Sequence, residues 1–357
     1  MKEITTIGID LAKNVFQLHG VDSNGRVVLR RQLKRKDVAG FFTKLPPSCL
    51  VGMEACGTAH HWARTIAGLG HRVKLMPPKY VKAYLKRGKT DAADAEAICE
   101  AVTRPSMIPV PVKTVEQQAS LVALSTRALL IRQRTQTINA LRGHLSEFGI
   151  IAAVGEDGVK ALVAVINDSG DSRLPAAARR ALGCLVTALD AVCREIDQLE
   201  QAIDAAYRAN PTCRRLASIP GVGPMIASTV VALVGDASQF KSGRAFAAWI
   251  GLTPRLDGSG GKVMLGPISK QGHRELRRLL VNGASAVLRH AKRSPDKHPR
   301  LKAWLAGLTD RLAFKKAAVA LANKLARTIW ALLVRGGTYN DAYQPKDRLG
   351  AAMVLAA

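Results

Sequence analysis

Ile4-Thr5-Thr6-Ile7-Gly8-Ile9-Asp10 is followed by Val15-Phe16-Gln17-Leu18-His19-Gly20-Val21 and, across Asp22-Ser23-Asn24-Gly25, by Arg26-Val27-Val28-Leu29-Arg30. Three short runs rich in β-branched residues, the last two joined by a turn of the Asn-Gly kind, predict an antiparallel meander. Downstream the alternation changes. Residues 37–45 predict a short helix stopped by Pro46-Pro47, and Cys49-Leu50-Val51-Gly52-Met53 a buried strand. Residues 58–69 predict an amphipathic helix ending at Gly70, and Arg72-Val73-Lys74-Leu75-Met76 a fifth strand before Pro77-Pro78. A further helix opens at Asp91.

Strand-strand-strand-helix-strand-helix-strand-helix is the element order of the RNase H-like fold, in which the ends of the first and fourth strands lie side by side. Beyond it the chain turns helical. Leu, Ala, Arg, Gln and Glu recur at helical spacing from residue 112 to about 209. Two long arms, 115–148 and 175–207, fit a coiled-coil hairpin of the sort that spaces or dimerises domains. Residues 211–336 are again helical, broken by the Gly-rich loop Asp257-Gly258-Ser259-Gly260-Gly261. The expected architecture is α/β plus all-α: a first domain over 1–105, a helical coiled-coil linker over 106–210, a mainly helical C-terminal domain over 211–336 and a weakly held tail over 337–357.

Charge narrows the class of partner. The 357 residues carry 53 Lys+Arg against 27 Asp+Glu, a net charge of +26, which is far beyond what solubility requires. Residues 237–335 hold 20 of the basic side chains and four acidic ones. Nucleic acid is the first polyanion to consider and an anionic membrane the second. No apolar stretch reaches transmembrane length, since 317–334 is broken by Lys324 and Arg327, and the N-terminus shows neither a signal-peptide run nor a lipidation signal. Six scattered cysteines, none in a Cys-x-x-Cys pair, fit free thiols in a reducing cytoplasm. Aromatic residues are only 4%, too few for a base-stacking platform as the main binding mode.

Within so basic a chain the carboxylates stand out. Asp10 ends the first predicted strand and Glu54 the fourth, while Asp91 and Asp94 open a helix on one of its faces. Four carboxylates brought together repel one another unless divalent metal, Mg2+ or Mn2+, binds between them, and such a site can activate a phosphodiester. Each residue alone has a plainer reading, as a turn or cap. Cys56, His60 and His61 invite a zinc reading, which adjacent histidines on a helix serve poorly.

Gly8-Ile9-Asp10-Leu11-Ala12-Lys13, Met53-Glu54-Ala55-Cys56-Gly57-Thr58 and Lys89-Thr90-Asp91-Ala92-Ala93-Asp94-Ala95 resemble the DEDD transposases of bacterial insertion sequences, whose RuvC-like domain carries an Asp-Glu-Asp-Asp set. Ser218-Ile219-Pro220-Gly221-Val222-Gly223-Pro224 looks like a helix-hairpin-helix, with Gly221 and Gly223 in a turn that offers backbone N–H groups to a phosphate. Trp249-Ile250-Gly251-Leu252-Thr253-Pro254-Arg255 and its continuation to Arg277 resemble the C-terminal domain of the same family. There a serine forms a 5′-phosphoserine link to DNA, and the matching residue is Ser259. Arg255, Gly260, Lys262, Lys270, Arg274 and Arg277 are the accompanying candidates for phosphate contact. Ser269 reads instead as the N-cap of the next helix.

The resemblance implies a recombinase guided by a noncoding bridge RNA, acting on donor and target double-stranded DNA as dimers that pair into a tetramer, with sequence choice delegated to base pairing. Two other classes remain open on the residues themselves: a RuvC-like nuclease or junction resolvase without a covalent serine, and a non-enzymatic architectural nucleic-acid binder.

Overall fold

A computed structural model describes residues 3–86, 88, 90–259, 262–291 and 298–342, with the backbone alone at Ser259 and Val263. The chain divides into two compact units, Met1–Glu116 and Gln117–Ala357.

The first unit is built on a five-stranded mixed sheet of β1 (Thr6–Asp10), β2 (Val15–Val21), β3 (Val27–Lys34), β4 (Leu50–Glu54) and β5 (Arg72–Met76), in the order β3-β2-β1-β4-β5. β1 runs antiparallel to β2 and parallel to β4, with Ile9 opposite Met53, and β4 runs parallel to β5. β1 is central, so Thr6, Ile7, Gly8 and Ile9 are all buried rather than alternating. β3 is an edge strand with three exposed charged or polar side chains in a row, Arg30, Arg31 and Gln32, which discourages pairing with another chain. This is a mixed α/β architecture consistent with an RNase H-like domain.

Helices α1 (Val38–Thr43), α2 (Ala59–Gly68), α3 (Pro78–Val81) and α4 (Asp91–Val102) complete the unit. Because side chains alternate along a strand, the two faces of β1 serve different neighbours. Ile7 and Ile9 join Phe16, Phe42, Val51, Met53, Trp62 and Ile66 in a core shared with α1 and α2. Gly8 faces α4, where a Cβ would stand 2.3 Å from the carbonyl oxygen of Ala95 and 2.4 Å from the amide nitrogen of Cys99. Only glycine lets the helix backbone come this close.

The second unit begins with the arms. Helix α5 (Val115–Ser146) and α7 (Ala176–Ala209) enclose α6 (Glu156–Asn167) in a core of Leu141, Leu145, Leu162, Ile166, Leu182 and Val186. Helix α6 fills the connection between the two expected arms. It carries an apolar face at helical spacing, Val159, Leu162, Val163 and Ile166. Part-way along the arms the Arg127 Nε donates to Glu200 Oε1 at 2.8 Å, joining α5 to α7.

Helices α8 (Pro211–Leu216), α9 (Pro224–Val234), α10 (Gly243–Ile250), α11 (Arg274–His290), α12 (Pro299–Thr309) and α13 (Phe314–Arg335) pack around Leu216, Val230, Phe246, Leu276, Leu280, Leu321 and Ile329. α13 is long and apolar enough to cross a membrane by composition, yet Leu321, Ala322, Leu325, Ala326 and Ile329 are buried in this core.

The Gly-rich segment expected as a loop is a two-stranded antiparallel ribbon, β6 (Pro254–Ser259) and β7 (Lys262–Ile268), with Ser259 paired to Lys262. Val263-Met264-Leu265 supply the strand formers that the Gly-rich stretch lacks. Residues 338–342, expected within a weakly held tail, are tied down. The Tyr339 N–H donates to Ser218 Oγ at 2.8 Å and its hydroxyl to Asp341 Oδ1 at 2.9 Å. Asp341 in turn accepts the Arg300 and Leu301 N–H groups at 2.8 and 3.2 Å, capping α12.

Candidate catalytic and nucleic-acid-binding sites

Parallel β1 and β4 bring their carboxyl ends to one edge of the sheet. Between them the connections diverge, β1 leading to β2 on one side and β4 to β5 on the other, and ligands of open α/β sheets lie at such switch points. Asp10 ends β1 and Glu54 ends β4, both half-buried. Asp10 lies two residues past Gly8, about 6.6 Å further along the strand and on the same face. Asp91 and Asp94 lie on the first turn of α4, just before the residues that touch Gly8. Thr90 starts that turn, its hydroxyl accepting the Ala93 N–H at 3.2 Å. The close contact at Gly8 therefore sets where the α4 carboxylates land.

One side-chain oxygen from each of Asp10, Asp91 and Asp94 lies within 4.8 Å of those of the other two. Opposite ligands of an octahedral Mg2+ ion are about 4.2 Å apart, so three hard oxygen donors at this spacing fit such an ion with little rearrangement. Two are half-buried and Asp91 is exposed, leaving room for water or a phosphate oxygen.

Glu54 is not part of that group. α4 crosses the sheet obliquely: Ala95 and Cys99 meet Gly8 on β1, whereas Val102, at its other end, meets Gly52 on β4. The N-terminal turn of α4 therefore comes to β1, and Glu54 stands one strand away, about 4.8 Å across the sheet.

Of the zinc candidates, His60 has both ring nitrogens engaged by Lys113. Burial and then the charges of Glu54 and Asp10 push the Cys56 thiol upward, away from thiolate. The His60 Nδ1 accepts the Lys113 N–H at 3.2 Å, its Nε2 lies 2.9 Å from Lys113 Nζ, and the Arg64 guanidinium donates to the Lys113 carbonyl. Burial, then Lys113 and Arg64, lower the His60 pKa to about 4. His60 ties the segment after α4 to α2. Sequence reasoning missed this role because its partner lies 53 positions away.

In the second unit, β6 and β7 project outward, with Leu256, Met264 and Leu265 each about seven-tenths exposed. The ribbon is held at its base. Gly251 (φ +83°) and Gly272 (φ +75°) lie in the left-handed region, where Cβ atoms would strike the Gln271 and Trp249 carbonyl oxygens at 2.1 and 1.9 Å. Arg277, a candidate phosphate ligand, donates to the carbonyl oxygens of Ile250 and Gln271, both at 2.8 Å, and so braces this base. Arg255, Lys262, Lys270 and Arg274 are exposed, the first donating to the Ser269 carbonyl at 3.5 Å. Gly260 and the side chain of Ser259 lie outside the described residues. Ser269 is not a helix cap, since α11 starts five residues later and its cap is His273, whose Nδ1 accepts the Leu276 N–H at 3.1 Å. Between α8 and α9, Gly221 lies against Gly283 and Val287 of α11, while Gly223 is exposed at the start of α9.

Comparison with known proteins gives these features a setting. Residues 7–150 match a transposase family model of the DEDD type, and residues 213–299 match that of the "Transposase IS116/IS110/IS902 family". A Pseudomonas aeruginosa protein named "Probable family 20 transposase" is 49% identical over 94% of this chain and 98% of its own length. The transposase for insertion sequence element IS1111A of Coxiella burnetii is 44% identical over 95% of this chain and 92% of its own. The chain belongs to the IS116/IS110/IS902 family of insertion-sequence transposases. It is a DNA transposase enzyme, and DNA is its partner.

Proposed function

We propose that this transposase is a metal-dependent recombinase that cuts DNA through Ser259 and is guided by a noncoding RNA. The observation that carries the metal site is the convergence of Asp10, Asp91 and Asp94 at the end of β1. Glu54, at the adjacent strand end, is the fourth member of the set. A Mg2+ or Mn2+ ion bound there would neutralise the carboxylates and polarise the scissile phosphate.

The Ser259 hydroxyl oxygen bonds to phosphorus, the bond to the 3′ oxygen breaks, and the hydroxyl proton leaves while the departing 3′ oxygen gains one. The resulting 5′-phosphoserine ester conserves the phosphodiester bond, so a second 3′-hydroxyl can reverse the step on another strand without ATP. Arg255, Lys262, Lys270 and Arg274 neutralise DNA phosphates around the ribbon, Gly260 permits close backbone approach, and Gly221 and Gly223 engage the duplex backbone. Arg277 supports this surface from beneath. Residues 106–210 act as the linker and dimerisation region, 211–336 as the serine-bearing domain. Dimers pair into a tetramer in which the carboxylates of one protomer meet the serine of another.

The resemblance supports the RNA guide, and the high positive charge with few aromatics accords with a protein that reads backbone and shape. The test is a denaturing gel with cognate DNA. Wild type gives a protein–DNA adduct, Ser259→Ala gives none, and an adduct trapped by Ser259→Ala overturns the assignment. Full recombination in chelator overturns the metal role, and full recombination after ribonuclease treatment overturns the guide.

A further inference from the structure

A groove of about 1200 Å3 opens in the second unit between the start of α10, α12, α13 and the segment after α13. It is larger than the pockets that enclose small ligands, which suits a stretch of polymer. Its wall carries Arg244, Arg300, Lys324, Arg327 and Arg335. Among the described residues that line it, these five cations stand against one carboxylate, Asp341, which accepts the N–H groups that start α12. Gly243 shapes the floor: it lies so close to α13 that a Cβ would be 3.1 Å from the Arg327 Cα.

The groove also holds an indole. Trp304 is 36% exposed, forms part of the wall, and has Lys324 Nζ 4.9 Å from its ring centroid. The indole thus lies partly exposed beside a cation, whereas paired DNA presents phosphates and hides its base faces. An unpaired strand presents both, and aromatic side chains beside a cationic track are how proteins hold one.

We propose that this groove binds an unpaired DNA strand, with phosphates along Arg244, Arg327 and Arg335 and a base stacked on Trp304. None of these residues belongs to the ribbon surface around Ser259. The groove opens at the N-terminal end of α10 and the ribbon leaves from its C-terminal end, about 12 Å away along eight residues. The groove is placed to hold a strand displaced from the duplex while its neighbour is cut.

The test measures binding of the full chain to labelled oligo-dT of about ten nucleotides, without metal, by anisotropy. Trp304→Ala is expected to weaken binding about 5- to 140-fold. Trp304→Phe keeps a ring and retains most of the affinity. Arg327→Glu weakens binding and flattens its salt dependence, whereas a blunt duplex of equal length binds wild type and Trp304→Ala alike. Unfolding midpoints identify any variant that has lost its fold; the Phe variant and Arg327→Glu then decide. Oligo-dT affinity unchanged in both Trp304→Ala and Arg327→Glu overturns the proposal. An equal loss for duplex, or a loss confined to oligo-U, overturns the assignment to unpaired DNA. Ser259→Ala is expected to bind oligo-dT as wild type does, so this result is independent of the cleavage mechanism.

Discussion

The carboxylate site and the serine ribbon are built by opposite means. Asp10 ends a strand buried on both faces, and Asp91 and Asp94 ride on a helix whose backbone touches that strand at Gly8. The ribbon has no such bed: its flanking side chains are mostly in water, and it is fixed at its base, where Gly251, Gly272 and Arg277 lock the turn after α10 to the turn before α11. A metal site tolerates little error in ligand position, and a rigid sheet edge supplies that precision. In the proposed mechanism the nucleophile must meet a phosphate held by another protomer, and that needs reach instead.

The largest expected effect falls on the rigid side. Asp94→Ala should lower the rate of strand cleavage by more than about a hundredfold, with an unchanged unfolding midpoint, in a cleavage assay titrated with Mg2+. A wild-type rate would break the comparison at its root. Next is Gly8→Ala, which touches no substrate. Its Cβ meets backbone atoms that cannot swing aside, so it should cost about 1–3 kcal/mol or more in denaturant unfolding and should weaken the metal response as α4 shifts.

A smaller effect concerns pH. His60 is held neutral in the folded chain with a pKa near 4, below its ordinary 6.5. The unfolded chain therefore binds a proton that the folded one does not, and stability present above pH 6.5 is lost as pH falls from about 6.5 toward 4. His60→Gln should flatten that slope, by about 1–2 kcal/mol over the window, since the ring is only half buried. The smallest is Leu256→Ser on the ribbon, which should change stability by less than about 0.5 kcal/mol, because that side chain contributes little to any core. A large loss there would show that the ribbon is bedded after all.

The first unit was legible because its signals are local. β-branched runs, an Asn-Gly turn and two Pro-Pro stops mark the strands, and their order implies that Asp10 and Glu54 end neighbouring strands on which the α4 carboxylates can converge. The offset of Glu54 was not legible, since it depends on the oblique path of α4 across Gly8 and Gly52, a relation between surfaces rather than between neighbours in sequence. In the second unit the short elements between the long helices were harder to read. Burial of Leu162 and Ile166 stabilises α6 between the arms, and the Gly-rich segment expected as a loop is flanked by residues that pair as β6 and β7. Arg277 showed a charge that suits phosphate, but nothing in its flanking residues announced the two carbonyls that occupy it.

The cap on α12 has a consequence for biosynthesis. Its own N-terminal residue, His298, sits at φ +58° and offers no side-chain bond to the first turn. The acceptor is Asp341, which leaves the ribosome 41 residues after Arg300. A nascent chain can therefore make and pack α13 before α12 has its terminal amides satisfied, a deficit of about 1 kcal/mol while it lasts. The closing turn of the basic groove is set only once residue 341 has been made, so a ribosome stalled before it carries a chain with α12 uncapped and the wall of that groove unfinished.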